Sequence, residues 1–165
     1  MLLQIEKYFP IKPASLGPPK TYLEGTVSKI QLPNGFHAWA FSSSQYVHEA
    51  VKSVEEHLEK VGKKLMSKKP GTPIPTSYSP DLDITPELVS TDAAYYQLLV
   101  GILRWIVELG RVDIFLEVSL MSSHLALPRE GHLDKLFHIF AYLKCKQWKE
   151  SRRFRYAVYL DGVQR

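Results

Sequence analysis

The chain has 165 residues, within the usual range of roughly 100–200 residues for one domain, and 45% of them are hydrophobic. With 23% charged residues and a net charge of +4, the composition is that of an ordinary globular protein rather than a disordered one. The charge is compatible with a polyanionic partner but does not require one. Cys145 is the only cysteine, which excludes an intramolecular disulfide and a cysteine-rich zinc site. Because we recognise neither a signal peptide nor a membrane-spanning run, we expect an intracellular protein, cytoplasmic or nuclear, that is not secreted and has no membrane partner.

Residues 22–41 are typical of a β-hairpin. The residues before them, 1–21, include four prolines and predict an extended lead-in, because proline fixes φ and lacks an N–H. Strand-forming residue types continue to Leu32, and a second alternating pattern follows the turn. Between them, Asn34-Gly35 is a strong hairpin signal, since both residues tolerate positive φ.

The next segment predicts a helix followed by a long connection. A single apolar stripe from Val47 to Leu65 indicates the helix, and the serines at 42–44 are N-cap candidates. We expect the run Lys68–Gly71 to end it. Residues 70–90 contain five prolines and few large apolar side chains, so we expect an extended connection over the surface.

Three further helices are predicted after this connection. The first is capped by the polar residues 90–92 and ends at Gly110, which suits the C′ position. It is apolar on nearly every side, so we expect it to be central. The second helix covers about 112–126, and the third begins near Pro128.

The predicted order of elements defines an α+β fold, with an N-terminal β-hairpin followed by a mainly helical bundle. We divide the chain into a lead-in and hairpin over 1–43, a helical region over 44–145 and a basic tail over 146–165. Alternating apolar residues in the tail predict a short terminal strand; they are Phe154, Tyr156, Val158 and Leu160.

Two sets of side chains could ligate a metal, but neither has a recognised pattern. Asp81-Leu82-Asp83 would present two carboxylates, yet an isolated Asp-x-Asp is a common false positive, and a solvated loop or capping role is favoured. The second set matches no zinc spacing and is interpreted as separate side chains; it comprises His124, His132, His138 and Cys145. We therefore assign no catalytic residue, no metal ligand and no cofactor to this chain.

Basic residues provide a candidate surface for nucleic acid. Five lie on or between the last three predicted helices, and others alternate with aromatic residues in the tail. Such residues bind phosphates through charge, without reading the base sequence. An ordinary solvated surface explains them equally well at this stage.

A series of motifs follows residue 93: YYQLLVGILRW at 95–105, GRVDI at 110–114, SSHLALPREGHL at 122–133 and YLK at 142–144. Upstream, GPPKTYL at 17–23 and SSSQYV at 42–47 precede them. In order and spacing, this set resembles the reverse transcriptase region of Ty1/copia-type retrotransposon polyproteins, in the part that follows the polymerase palm. The resemblance covers about residues 8–144.

The resemblance implies roles for the hairpin and the helices. In such enzymes the strand pair after the catalytic sheet is the primer grip, and the following helices form a thumb that closes over the template–primer duplex. It implies RNA-directed DNA polymerisation with Mg²⁺ as the parent activity, and a template–primer duplex, the palm and a ribonuclease H domain as partners. The residues that it assigns to nucleic-acid binding are Tyr22, Leu23, Gly25, Arg104, Arg111 and Arg129.

The chain departs from the family pattern in several places. The Tyr-x-Asp-Asp motif and the ribonuclease H carboxylates are absent from it, so we expect the chain to be catalytically inactive alone. Glu24 stands where the family usually has glycine, and its carboxylate would repel a primer backbone. After Lys144 the tail no longer follows the family.

An alternative belongs to a different class of protein. The chain would then be a stand-alone helical module for protein interaction, or a decayed retroelement relic with no activity. The apolar stripe from Val47 to Leu65 has alternating steps of three and four residues, which also suit a dimer seam. A homodimer is therefore part of this alternative.

Overall fold

The computed structural model describes residues 17, 20–66, 69–146 and 157–158. They form two compact units: one holds the described part of Met1–Ser42 and of Phe154–Arg165, and the other holds that of Ser43–Arg153. The described strands belong to the first unit and the four described α-helices to the second, which confirms the predicted α+β fold class. None of the helices in these ranges is both long and apolar enough to cross a membrane.

The first unit is an antiparallel sheet whose strands lie side by side in chain order. They are β1 (Thr21–Tyr22), β2 (Gly25–Gln31), β3 (His37–Ser42) and β4 (Ala157–Val158). The predicted hairpin is confirmed by β2 and β3, which pair from Thr26 opposite Ser42 to Gln31 opposite His37. The predicted terminal strand is present as β4, which pairs with β3, while the flanking positions Phe154, Tyr156 and Leu160 lie outside the described residues.

The prediction of one strand from 22 to 32 is wrong at its start, because the chain reverses after Tyr22. Leu23 and Glu24 form a two-residue turn with φ of 46° and 64°, and Tyr22 faces Gly25 across it. Two successive left-handed residues are typical of a type I′ hairpin turn, which glycine, asparagine and aspartate normally occupy. Leucine and glutamate carry no such signal, so the sequence pattern does not reveal the turn.

The turn between β2 and β3 differs from the predicted one in its backbone. Of Asn34 and Gly35, only Gly35 has a positive φ, at 83°. The Gly35 N–H donates to Leu32 O at 2.9 Å, and the Leu32 N–H donates to Phe36 O at 2.8 Å. Pro33 therefore takes the second position of a four-residue turn, where its fixed φ fits. Proline and a left-handed glycine close the hairpin, rather than a two-residue Asn-Gly turn.

The second unit contains four described α-helices: α1 (Ser44–Lys60), α2 (Ser90–Glu108), α3 (Phe115–Ser122) and α4 (Glu130–Cys145). The predicted helix over 112–126 is shorter than expected and begins as a 3₁₀ turn at Val112–Ile114. At the start of α2, Val89 rather than a polar residue occupies the N-cap position. Its end is as predicted, with Gly110 at a φ of 105°.

The first helix ends earlier than predicted, at Gly62 instead of Lys68–Gly71. Gly62 has a φ of 70°, and its N–H donates to Glu59 O at 3.0 Å. The N–H of Lys63 donates to Leu58 O at 2.8 Å. These two bonds form a Schellman motif, in which a left-handed glycine ends the helix. The turn directs the chain after α1 toward α4, where Lys63 and Lys64 border the same cleft as Asp134 and Phe137.

The helices of the second unit enclose one hydrophobic core. The inward stripe of α1, from Val47 to Leu58, packs in the same cluster as Leu103 of α2 and Phe140 of α4. Because the stripe is buried in the core of this unit, we do not expect it to form a dimer interface. A homodimer through another surface stays a prediction.

The second helix is central along one face only. Leu103 and Ile106 are fully buried, whereas Leu98 is 58% exposed. The predicted central position is therefore confirmed for its inner face, while its outer face is open to solvent at Leu98. Tyr96 shows how its inner face is fixed, because the buried hydroxyl donates to Met121 O in α3 at 2.7 Å.

The proline-rich connection between α1 and α2 is folded against the helices. Ile74 within it is buried and belongs to the core cluster. Glu87 and Arg129 form an isolated antiparallel bridge, and the N–H of Leu88 donates to Pro128 O at 3.0 Å. These contacts attach the connection to the first turn of α4.

Candidate nucleic-acid interface

The turn between β1 and β2 presents two apolar side chains to solvent. Tyr22 and Leu23 are 64% and 51% exposed. Gly25, by contrast, is buried, and a Cβ at this position would collide with the ring of Phe41. Its missing side chain lets the turn approach β3 closely. Tyr22 and Leu23 are thus accessible to a ligand, and Gly25 contributes through packing.

Arg111 is buried, so it is a weak choice for the predicted contact with a duplex. Its guanidinium binds Asp113 through two hydrogen bonds, from Nε to Oδ1 at 2.8 Å and from Nη2 to Oδ2 at 2.9 Å. The Tyr142 hydroxyl also donates to Asp113 Oδ2, at 3.3 Å. Burial by itself would raise the pKa of Asp113, but the hydrogen bond and charge of Arg111 outweigh it and lower that pKa. The positive charge is therefore neutralised within the unit.

Arg129 is engaged in holding the connection to α4. Its Nη1 donates to Thr85 O at 2.6 Å, and its Nη2 lies 3.6 Å from Glu87 Oε1. Its backbone N–H donates to Nδ1 of His132 at 3.1 Å. A phosphate would have to compete with these internal partners for the guanidinium.

Arg104 is the one of the three predicted arginines that is exposed. It lies on α2 beside a cleft of about 210 Å³ that is also lined by Glu108 and by Phe115, Ser119 and Ser122 of α3. Among the described ion pairs, none involves Arg104. Arg104 therefore has the exposed positive charge that the predicted contact with the nucleic-acid backbone requires.

A polar network joins the connection to the first turn of α4, and we call it the loop–helix junction; it comprises Tyr78, Asp83, Thr85, Gly131 and His132. Asp83 Oδ1 accepts from the N–H and the hydroxyl of Thr85, at 2.9 and 2.5 Å. Asp83 Oδ2 accepts from the Tyr78 hydroxyl at 2.5 Å. The Thr85 hydroxyl oxygen accepts in turn from the N–H of Gly131 at 2.8 Å. The network thereby satisfies one of the N–H groups that a helix start leaves unpaired.

The protonation states at the loop–helix junction follow from these bonds. Burial would raise the pKa of Asp83, but the hydrogen bonds from Thr85 and Tyr78 outweigh it and lower the pKa to about 2. Burial and the Asp83 carboxylate together raise the pKa of Tyr78 well above its usual value. Near neutral pH the pair is a carboxylate and a neutral phenol. A negative charge beside the start of α4 also interacts favourably with the helix dipole.

His132 and its neighbour His124 are held in place by contacts with the connection between α1 and α2. Nδ1 of His132 accepts from Arg129, so the proton is on Nε2, which donates to Pro80 O at 3.1 Å. The ring of His124 is tilted against the His132 ring, with centroids 4.3 Å apart, and Nε2 of His124 lies 3.5 Å from Asp81 Oδ1. Burial and the neighbouring His132 lower the pKa of His124, although the nearby carboxylates oppose them.

The side chains considered as metal ligands have other partners. Asp83 and His132 belong to the loop–helix junction, and Nε2 of His138 lies 3.2 Å from Thr72 O. Cys145 lies at the opposite end of α4 from His132. In the part of the chain that the structure describes, no three histidine, cysteine, aspartate or glutamate side chains gather into a metal site.

The sequence reasoning missed the loop–helix junction, although one local signal was present. Asp83 stands two residues before Thr85, and an aspartate that binds the N–H two residues on is the pattern of an Asx turn. The hydrogen bond from the Gly131 N–H to the Thr85 hydroxyl has no local sequence signal, because Gly131 follows Thr85 by 46 residues. Only the packed chain brings the two together.

No protein-family model, no curated protein and no solved structure matches the chain. The resemblance to the copia-type reverse transcriptase region therefore stays a prediction. The exposed turn, Arg104 and the loop–helix junction are features of this chain in their own right.

Replacement of Gly131 by alanine is expected to destabilise the second unit. The new Cβ would overlap the Asp83 carboxylate, which three hydrogen bonds hold in place. We expect the free energy of unfolding, measured by urea denaturation, to fall by about 1–3 kcal/mol. Gly101→Ala is the matched control, because this helical glycine has open space where the Cβ would lie. It should stabilise the protein by up to about 1 kcal/mol, and equal effects of the two changes would contradict the proposed overlap.

Asp83→Asn is expected to remove an acid-sensitive part of the stability. Folding lowers the pKa of Asp83 from 3.8 to about 2, so its contribution to the free energy of unfolding is complete only above about pH 5. That contribution is lost as the pH falls toward 2, and we expect it to be about 1–2 kcal/mol. Urea denaturation between pH 2 and about pH 6 should give a flatter profile for the variant. Asp81→Asn serves as the control because that side chain is 84% exposed, and a profile flattened equally by this change would disprove the assignment.

Proposed function

We propose that the chain is a fragment of a copia-type reverse transcriptase, from the part that follows the palm, and that it contributes to binding of the template–primer duplex. The β1–β2 turn carries this proposal, because it holds Tyr22 and Leu23 exposed at the tip of an antiparallel sheet. The ordered series of family motifs supports it. The partners would be the duplex, the palm and a ribonuclease H domain, in the cytoplasm or nucleus.

Rigid positioning is what a primer grip requires, since a terminus displaced by about 1 Å already reacts far more slowly. In this chain β2 and β3 pair at six positions, which fixes the register of the hairpin. The close approach of Gly25 to the ring of Phe41 then fixes the distance between the β1–β2 turn and β3. The Tyr22 ring is suited to stack on a base, and Leu23 adds an apolar contact beside it.

The chain is proposed to bind without catalysing. Phosphoryl transfer by two metal ions needs carboxylates that hold Mg²⁺, and this sequence has no Tyr-x-Asp-Asp turn. Polymerisation would therefore depend on the palm. Of the predicted arginines, Arg104 is the one whose exposure suits contact with the duplex backbone.

Truncation of the β1–β2 turn should weaken duplex binding. We expect the double variant Tyr22→Ala/Leu23→Ala to bind a labelled recessed primer–template about tenfold more weakly, because stacking and apolar contact are lost. Fluorescence anisotropy at two salt concentrations would measure this, with the wild-type chain binding more tightly at the lower concentration. Glu24→Gly should instead bind more tightly, since it removes a repulsive carboxylate and places glycine at a φ of 64°.

Phe36→Ala is the matched control for this experiment. Phe36 is 62% exposed but lies at the opposite end of the β2–β3 hairpin, so its loss should leave duplex affinity unchanged. The proposal fails if wild-type protein does not bind the duplex at low salt. It also fails if Phe36→Ala weakens binding as much as the double variant does.

A second candidate function, a helical interaction module, is favoured by the outer face of α3. Leu116 and Leu120 lie four residues apart on one face and are 63% and 42% exposed, and the adjacent Phe115 is 59% exposed. Apolar side chains grouped on one exposed face are typical of protein-binding surfaces. In this candidate, a second copy of the chain would cover α3, since the α1 stripe is already buried.

Sedimentation velocity over a range of protein concentrations tests the second candidate. We expect self-association that Leu116→Glu/Leu120→Glu abolishes, because charges in the contact would be desolvated. Val61→Glu is the control, since Val61 is an apolar residue that is 55% exposed and caps the C-terminus of α1 rather than lying on α3. A wild-type chain that stays monomeric at every concentration would exclude the dimer.

A further inference from the structure

A cleft of about 430 Å³ lies between the end of α1 and the middle of α4. This volume is within the range of roughly 300–1,000 Å³ that ligand sites usually have. Its walls come from the segment after the Schellman turn and from one face of α4. The lining residues are Leu58, Lys63, Lys64, Leu65, Met66, Asp134, Lys135, Phe137 and His138.

The rim of this cleft is positively charged. Three lysines line it, Lys63, Lys64 and Lys135, against the single carboxylate of Asp134. Neither Lys63 nor Lys64 takes part in an ion pair among the described residues, and both are exposed. The ammonium of Lys135 lies 4.6 Å from the centroid of the Tyr78 ring, a contact that positions it without neutralising its charge. The rim therefore suits an anionic ligand.

The floor of the cleft is apolar and includes an aromatic ring. Leu58 and Leu65 are buried members of the hydrophobic core. Phe137 is partly buried and is tilted against Tyr95, with ring centroids 6.4 Å apart. Met66 is 47% exposed and lies at the edge. A flat apolar group could rest on this floor while its charged group reaches the lysines.

We propose that this cleft binds an unpaired nucleotide of a nucleic-acid strand, with its phosphates at the three lysines and its base against Phe137. The proposal deepens the proposed function and rests on it for the class of ligand. An unpaired base can turn its face toward an aromatic side chain, whereas a paired base is stacked within the duplex. The cleft would therefore hold a single-stranded extension rather than the duplex itself.

The test compares strand binding by two lysine variants of equal charge. The cleft variant is Lys63→Gln/Lys64→Gln/Lys135→Gln, and the control is Lys52→Gln/Lys60→Gln/Lys146→Gln, whose lysines are exposed and do not line the cleft. Fluorescence anisotropy with labelled oligothymidylate and oligouridylate, over a salt series, reports affinity and its salt dependence. For the cleft variant we expect at least about tenfold weaker binding and a logarithmic salt slope reduced by about two, as three lost phosphate contacts predict. The control should show a much smaller change.

A second variant separates stacking from charge and from folding. Phe137→Leu keeps an apolar side chain in the floor but removes the ring. We expect about tenfold weaker binding of the strand with an unchanged salt slope, because only base stacking is lost. Thermal unfolding of each variant, followed by circular dichroism, verifies that the chain is folded when binding is measured.

The outcomes distinguish this inference from the proposed function. If wild-type protein binds the recessed duplex but the cleft and control variants bind single strands alike, the cleft proposal is overturned and the proposed function stands. If it binds single strands and the recessed duplex through the cleft but does not bind a blunt duplex, the cleft stands and duplex binding fails. If wild-type protein binds neither ligand at low salt, both are wrong.

Discussion

The second unit depends on one contact, in which the Asp83 carboxylate lies against Gly131 at the start of α4. The carboxylate accepts hydrogen bonds from Thr85 and Tyr78. The Thr85 hydroxyl oxygen in turn accepts a hydrogen bond from the backbone N–H of Gly131. The long connection is thereby tied to a helix that it does not adjoin in sequence. That helix directs Phe140 into the core and places Lys135 at the rim of the cleft. The core and the cleft therefore both depend on the helix that this contact helps to position.

Structural elements that depend on short-range sequence patterns could be predicted from the sequence. The hairpin, the four helices and the glycine at the end of α2 all depend on neighbours within a few residues, and all are present. Errors arose where two local signals competed. The apolar stripe continues past Gly62 to Leu65, which is buried although it lies outside the helix, so the periodicity concealed the Schellman turn. The left-handed pair Leu23-Glu24 was hidden in the same way among strand-forming residues.

The candidate site was harder to predict, because a side chain's availability depends on distant partners. Arg111 and Arg129 lie in the motifs on which the predicted resemblance rests, yet Arg111 is paired with Asp113 and Arg129 holds the connection. Nothing in the local sequence marks Lys63 and Lys64 as part of a site. They border a cleft only because α4 packs beside them, more than sixty residues further along the chain. Composition and periodicity carry no information about such a juxtaposition.

The β1–β2 turn has a consequence for the energetics of anything that binds there. β1 contributes only two residues to the sheet, and each left-handed residue in its turn costs roughly 1–2 kcal/mol. The tip can therefore open locally while the β2–β3 ladder stays intact, with a free energy far below that of global unfolding. A ligand that requires the closed tip would bind only the closed fraction, and its apparent affinity would be reduced accordingly. In this chain the residues at positions 23 and 24 both influence that fraction, because both adopt the left-handed backbone conformation. The conformation of two turn residues thereby affects the apparent affinity for a ligand at the tip.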